Sequence, residues 1–104
     1  MYNYKAKINR VIDGDTVNLT IDLGFRLTYT ANCRLAGINA PEMKGITMAK
    51  GMAAKDYLED LLGFAECTID SKELDKYGRP VVVIWANGIN VNIKMVTDGM
   101  AEKY

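Results

Sequence analysis

The chain has 104 residues, of which 49% are hydrophobic and 25% charged, and its 13 basic and 13 acidic side chains cancel. This size and composition predict one small globular domain, residues 1–104, and exclude a disordered or membrane-spanning protein. The balanced charge excludes a broadly basic surface for nucleic acid, so any site for a polyanion must be local.

Three strands are predicted in the first forty residues, because polar and apolar residues alternate there. A turn over residues 13–15 separates the first two strands. Pro41 closes the third strand, because proline has no backbone N–H to donate to a neighbour. Residues 43–48 are predicted to form a loop. The three predicted strands cover residues 4–12, 16–23 and 27–38.

The hydrophobic spacing changes to that of a helix at Ala49. Ala54, Leu58 and Leu62 share one stripe of this helix, and charged residues lie mostly opposite. The helix is predicted to end at Gly63. Two further strands follow, of which the second is apolar enough to be central in a sheet. These two strands cover residues 65–71 and 80–86.

A turn at Asn87 and Gly88 follows the fifth strand. A short second helix comes next, with Asn90 as its predicted N-cap and Gly99 as its end. Five short strands with a helix after the third are the element order of an OB-fold, which often binds oligonucleotides or oligosaccharides. The predicted fold class is therefore mixed β+α: a five-stranded OB-fold barrel with a helix between strands 3 and 4 and a short C-terminal helix.

The sequence contains no histidine, and its two cysteines, Cys33 and Cys67, stand alone in apolar stretches. The first fact excludes Ser-His and Cys-His nucleophile pairs and imidazole metal ligands. The isolated positions of the two cysteines predict buried thiols, because neither cysteine has the spacing of a zinc or redox site. Any catalysis must use carboxylates, Arg, Lys or Tyr, with a hard cation as a further option.

No apolar run is long enough to span a bilayer, and residues 1–10 lack the apolar centre of a signal peptide. The sequence therefore predicts no membrane partner and no export signal in this chain, with a cytoplasmic location by default. Its oligomeric state is not predicted.

The turn at Asp13 and Asp15 has two interpretations. An Asp-Gly pair between alternating strands is a common hairpin turn and needs no function. However, Asp15 begins the next strand, where it can project beside Asp13, and two clustered carboxylates could hold calcium.

Arg34 and Glu42 also have two interpretations, one structural and one functional. The arginine could extend from a barrel edge with its stem packed on apolar neighbours, and the glutamate could be an ordinary surface acid. Alternatively, the planar guanidinium of Arg34 could hold phosphate oxygens at two points, and Glu42 could orient or deprotonate a water molecule.

The segment DKYGR, residues 75–79, could simply be a glycine turn between two strands. It also places Lys76, Tyr77 and Arg79 within four residues of each other. Two cations and an aromatic ring in one turn could hold phosphate and stack on a base.

Four segments together resemble the staphylococcal nuclease family of thermonuclease-like domains. The resemblance covers nearly the whole chain, with the segments in the family's order. It implies an OB-fold enzyme that hydrolyses phosphodiester bonds of DNA and RNA with calcium. The segments are VIDGDTV (11–17), RLAGINAPE (34–42), DKYGR (75–79) and DGMAEKY (98–104).

The resemblance also implies roles for the matching residues. Arg34 and Arg79 match the two guanidinium groups that hold the scissile phosphate and its developing charge. Glu42 matches the glutamate that activates or orients water. Lys76 and Tyr77 match residues that contact the terminal phosphate of the nucleotide.

For the metal, Asp15 matches a direct calcium ligand and Asp13 an acid of the outer shell. Ala40 matches the position whose backbone carbonyl reaches the ion. Asn39 departs from the family's best-known member, which has an aspartate there. An amide oxygen can still coordinate calcium, but one negative charge is lost, so weaker calcium binding is expected.

The resemblance therefore predicts a calcium-dependent nuclease, a hydrolase acting on DNA and/or RNA, with activity reduced by Asn39. The alternative is a weakly active or inactive nuclease-like OB module that binds nucleic acid or protein. Glu42 favours the enzyme, because an acid beside a phosphate site would weaken simple binding.

Overall fold

The structure, a computed structural model, describes residues 2–63 and 66–104, and of Lys72 only the backbone. Ala65, where the fourth predicted strand begins, lies outside the described residues. The elements in chain order are β1 (Tyr2–Asp13), β2 (Thr16–Gly24), β3 (Leu27–Leu35), β4 (Ile38–Asn39), a 3₁₀ helix (Gly45–Thr47), α1 (Met48–Leu62), β5 (Glu66–Leu74), β6 (Pro80–Ala86), β7 (Ile89–Asn90), α2 (Val91–Thr97) and β8 (Glu102–Lys103).

Five strands form a ring around the core. Neighbours pair in the order β3-β2-β1-β5-β6, and β6 returns to pair with β3. This last pairing is parallel and short, with Arg34 opposite Val81 and Leu35 opposite Val82, whereas the other four are antiparallel. The predicted fold class is confirmed: an OB-like ring of five strands, with a helix after the third and a second helix near the C-terminus.

Alternation along the strands fills the ring with apolar side chains. In β2, for example, Val17 and Leu19 are fully buried, while Asn18 between them is only half-buried. Cys33 and Cys67 are buried in the same core as predicted. Burial raises the pKa of Cys33 to about 12 and that of Cys67 to about 11, so both thiols stay protonated at neutral pH.

Helix α1 packs against the ring through the predicted stripe. Ala54, Leu58 and Leu62 are fully buried. The helix ends as predicted at Gly63, whose φ of +62° lies in the left-handed region that glycine adopts at low cost. None of the described helices is long and apolar enough to cross a membrane.

Three predicted segments differ from the structure, and one of them is the fourth strand, which continues to Leu74 instead of ending at residue 71. The third strand does not continue to Ile38, because Gly37 turns the chain with a φ of +74° and the extended backbone resumes only in β4. Residues 43–48 are not simply a loop, since they contain a 3₁₀ helix and the first residue of α1. The Thr47 hydroxyl stabilises this compact turn by donating hydrogen bonds to the carbonyls of Glu42 and Lys44.

Helix α2 begins and ends as predicted. The Asn90 side chain accepts a hydrogen bond from the Ile93 N–H at 3.1 Å, which makes it the N-cap. Gly99 follows the last turn with a φ of +77°. The chain then forms β8, which pairs with β4 and so places Glu102 opposite Asn39.

Candidate active site

Asp15 joins the start of β2 to the segment that follows β3. Its carboxylate is buried and accepts hydrogen bonds from the Ala40 N–H at 2.9 Å and the Thr16 hydroxyl at 3.1 Å. Its backbone carbonyl accepts the N–H of Leu35 at 2.8 Å. These contacts fix the carboxylate in one orientation at the end of the ring.

Arg34 lies between Asp15 and Asn39. Its Nη2 is 3.4 Å from Asp15 Oδ2 and 3.2 Å from Asn39 Oδ1. Its Nη1 donates to the Leu35 carbonyl at 3.1 Å. The structure thus brings together four residues predicted for the site, since Ala40 also binds Asp15.

Asp13 supports this cluster from the turn. Its carboxylate accepts the Asp15 N–H at 3.0 Å. Burial raises the pKa of the Asp13 carboxyl, and the adjacent Asp15 carboxyl raises it further. A cation bound beside Asp13 would favour the ionised form of its carboxyl.

The donor set fits a hard cation in chemical type. Carboxylate and amide oxygens are the ligands that calcium prefers, and Asp15 Oδ2 and Asn39 Oδ1 both approach one positively charged nitrogen of Arg34. These oxygens therefore face a common point where positive charge is favourable. Within residues 2–63 and 66–104, however, no group of three or more acidic or cysteine side chains could hold a metal, so the negative charge at this point is low.

Among the described residues, Glu42 forms an ion pair with Lys44 and not with Arg34. Its exposed carboxylate is 3.7 Å from Lys44 Nζ, and the ion pair is largely in solvent. The backbone at this position is nevertheless fixed, because the Thr47 hydroxyl donates to the Glu42 carbonyl at 2.7 Å. The α1 backbone also packs closely here, since a Cβ added to Gly51 would lie 2.6 Å from the same carbonyl oxygen.

Asp75 holds the predicted phosphate-binding turn. One of its oxygens accepts the N–H groups of Tyr77 and Arg79, each at 2.9 Å, and the other accepts Arg79 Nε at 2.7 Å. Desolvation would raise the pKa of Asp75, but these hydrogen bonds and the Arg79 charge lower it overall. Because Asp75 binds Nε, the two Nη groups of Arg79 remain available for a bidentate contact.

The ring of Tyr77 lies close to two cations. Lys76 Nζ is 5.2 Å and Arg79 Cζ is 5.4 Å from its ring centroid, distances typical of cation–π contacts. Tyr77 is 72% exposed, so one face of this cluster is open to a ligand.

The strand register relates the two arginines. Arg34 lies opposite Val81 in the parallel β3–β6 pair, and Arg79 precedes Val81 by two residues. Arg79 directly precedes β6, so this pairing places the backbones of both arginines near the same end of the ring. The ring thus brings together two cations that are distant in the sequence.

Several positioning residues are absent from the sequence predictions. Asp75 could have been included from its place in the segment DKYGR, and Gly51 from being an isolated glycine inside a helical pattern, which indicates close backbone contact. Gly14 also lies at a close contact, because a Cβ added to it would lie 2.7 Å from Ala40 Cβ. Thr47 has no pattern that would have identified it.

Comparisons with known proteins find several nucleases that are similar in sequence to this chain. The profile of the family described as "Staphylococcal nuclease homologue" matches residues 32–104. The chain is 32% identical over 111 residues to the "Micrococcal nuclease" of Shigella flexneri, covering 98% of this chain and 59% of that protein. It is 30% identical over 99 residues to the "Thermonuclease" of Staphylococcus intermedius, covering 90% of this chain and 56% of that protein.

A larger relative is the "Endonuclease YhcR" of Bacillus subtilis, which is 32% identical over 113 residues. That match covers 97% of this chain but only 9% of the relative. The chain thus spans little more than half the length of the two smaller relatives and a small part of the third.

Proposed function

This chain belongs to the staphylococcal nuclease homologue family, and from that premise we propose that it hydrolyses phosphodiester bonds of DNA or RNA with calcium. The observation that carries the proposal is the pairing of β3 with β6, which brings the backbone of Arg79, just before β6, close to that of Arg34. Relatives named as nucleases support the same activity.

In the proposed reaction, the two arginines bind the scissile phosphate. Attack by water places extra negative charge on the non-bridging oxygens, and fixed guanidinium groups stabilise that charge more in the transition state than in the ground state. Asp75 limits the rotation of Arg79, and the Leu35 carbonyl limits that of Arg34. Little free energy is therefore needed to orient these guanidinium groups during the reaction.

Glu42 is the proposed group that orients or deprotonates the attacking water. Its carboxylate is exposed, and among the described residues it forms an ion pair only with Lys44, so it is free to turn towards a bound substrate. Its backbone is held by Thr47 and by the close approach of Gly51. Lys76 and Tyr77 are proposed to bind a neighbouring phosphate and base.

Calcium would be held by Asp15, Asn39 and the Ala40 carbonyl. When bound, the ion would supply positive charge that stabilises the extra charge on the phosphate. Asp15 is fixed for this role by its hydrogen bond from the Ala40 N–H, and Asp13 would add negative charge from one shell further out.

The second candidate is a module that binds nucleic acid without cutting it. Two observations favour it: Glu42 pairs with Lys44 rather than with Arg34, and Asn39 supplies an amide where a carboxylate would add charge. Such a module would retain intact strands whether or not calcium is present.

Labelled single-stranded DNA incubated with the protein should be shortened in calcium and remain intact in excess chelator. Glu42→Gln should slow this cleavage by roughly 10²- to 10⁴-fold, the usual contribution of a general base. Glu66→Gln removes an exposed acid on β5 and should cleave like the wild type. If the wild-type protein leaves the DNA at full length in calcium, the proposed nuclease activity is refuted and the binding module is favoured.

Asn39→Asp should tighten calcium binding, because it adds a negative charge at a proposed ligand. A unit charge about 4 Å from a dication contributes roughly 8 kcal/mol at an effective dielectric of ~20, and desolvation offsets most of it. A net gain of about 1.4 kcal/mol would increase the affinity tenfold. Calorimetric titration measures the change, and Asn87→Asp adds the same charge at a remote turn as the control. Equal affinities in the two variants would place Asn39 away from the ion.

A further inference from the structure

An open apolar groove lies at one end of the ring of strands. Its volume is about 390 Å³, within the range of clefts that bind small ligands. Ile21 and Ile69 of the buried core form part of its lining, so the groove opens directly onto the core. Three tyrosines also line it, Tyr2, Tyr4 and Tyr29, of which Tyr2 is 67% and Tyr29 45% exposed. The groove therefore offers aromatic rings to a ligand from solvent.

The groove is continuous with the turn that the proposed function assigns to the substrate. Leu74 and Pro80, the residues directly before and after the segment 75–79, both line the groove and pair with each other across β5 and β6. From Tyr29 in the groove, β3 runs on to Arg34, a distance of about 17 Å in an extended strand. One bound chain can therefore contact the groove, the turn and Arg34 together.

The turn between β2 and β3 presents a further aromatic ring. It follows Leu23, which lines the groove. Phe25 in this turn is 96% exposed, and Phe25 and Arg26 have φ values of +56° and +64°. This left-handed region disfavours residues with a Cβ, and Asn-Gly is the usual pair in a turn with two such residues. A strained backbone that holds an aromatic ring in water indicates a function for that ring.

The charges at the two sides of the groove indicate the kind of ligand. Tyr77 lies close to Lys76 and Arg79 on one side, and Phe25 is followed by Arg26 on the other. A ring with a neighbouring cation suits a nucleotide, since the ring stacks on the base and the cation contacts a phosphate. An apolar peptide would fill the groove but make no use of these cations. Among the described residues, Glu73 is the one acid that lines the groove, and it is exposed.

We propose that this groove binds unpaired bases of a single-stranded nucleic acid whose phosphates run from Arg34 past the 75–79 turn towards Arg26. The inference deepens the proposed function and rests on it for the nature of the ligand. Every base has a face that stacks on an aromatic ring, so the groove accepts bases without regard to sequence. Bases inside a duplex cannot enter, because they are already paired and stacked.

Fluorescence anisotropy with labelled oligodeoxythymidylates in excess chelator tests the groove without cleavage. Affinity should rise with length to at least about four nucleotides, the lower end of the site size of an OB-fold. Tyr2→Ala should weaken binding of the longer strands roughly 5- to 100-fold, the effect of one lost stacking contact. Trp85→Ala removes an exposed ring on β6 that does not line the groove, and it should bind like the wild type.

Phe25→Gly separates binding from folding. Glycine adopts a positive φ at low cost, so this variant should unfold at a Tm no lower than that of the wild type. It should nevertheless lose affinity for the longer strands to a similar extent as Tyr2→Ala. Neither change should alter binding of a duplex of the same length.

The possible outcomes distinguish this proposal from the nuclease. If the wild type cleaves DNA but Tyr2→Ala and Phe25→Gly bind single strands as tightly as it does, the groove is refuted and the nuclease stands. If the wild type cleaves nothing but both variants lose affinity, the groove is supported and the nuclease is refuted. An equal loss of affinity for the duplex would also refute the groove, since binding would then not depend on unpaired bases.

Discussion

Arg34→Lys should reduce the rate of phosphodiester cleavage by roughly 10²- to 10³-fold, the range seen when one fixed transition-state donor is removed. Lysine keeps the positive charge but loses the planar fork. In the wild type, Nη1 is held by the Leu35 carbonyl while Nη2 faces Asp15 and Asn39. A single ammonium group cannot keep these contacts and also bind a phosphate oxygen at a second point.

Initial rates of DNA cleavage at saturating calcium measure the effect. Arg10→Lys makes the same chemical change at an exposed position of β1 and should cleave within about twofold of the wild type. The loss should appear mainly in kcat, because the interaction is stronger in the transition state than in the bound substrate. A kcat within about threefold of the wild type would show that the guanidinium of Arg34 has no catalytic role of its own, since a positive charge at this position would then be enough for cleavage.

Asn92→Ala should lower the free energy of unfolding by about 2 to 4 kcal/mol. The Asn92 side chain is 4% exposed and makes three hydrogen bonds. Its oxygen accepts the Ile84 N–H at 3.1 Å, and its amide donates to the carbonyls of Ala36 at 2.9 Å and Val82 at 3.0 Å. Alanine would leave the buried Ile84 N–H without its partner from α2.

Thermal unfolding followed by circular dichroism measures this loss. For a domain of this size, 2 to 4 kcal/mol corresponds to a Tm lower by roughly 10 to 25 °C. Asn9→Ala removes an amide that also bonds to two side chains, Asn18 and Thr20, but on the exposed surface. It should change stability by about 0.5 kcal/mol or less. Similar Tm values for the two variants would show that α2 is held by apolar packing alone.

The local features of the fold were predictable from the sequence. Gly63 and Asn90 act as helix termini because left-handed backbone and side-chain capping depend on a single residue and its neighbours. The alternation that predicted the strands also placed Cys33 and Cys67 in the core. Such features need no knowledge of distant contacts.

Contacts between distant segments were less predictable. The third strand ends early because Gly37 turns the chain towards β8, a partner about 65 residues away. The sequence alone did not identify Asn92, although its spacing from Met95 places both on the buried side of α2. At the candidate site, the sequence grouped Arg34 with Glu42, whereas the structure pairs Arg34 with Asp15 and Asn39.

The pairing of β4 with β8 also sets the order in which the site can form during synthesis. Asn39 is held by Glu102, and the Gly37 carbonyl accepts the N–H of Tyr104 at 2.9 Å. On the ribosome, Asp15, Arg34 and Asn39 emerge long before these late residues. The segment from Gly37 to Asn39 therefore cannot pair with β8 until residue 104 has left the exit tunnel. A nascent chain shorter than this carries an incomplete candidate site.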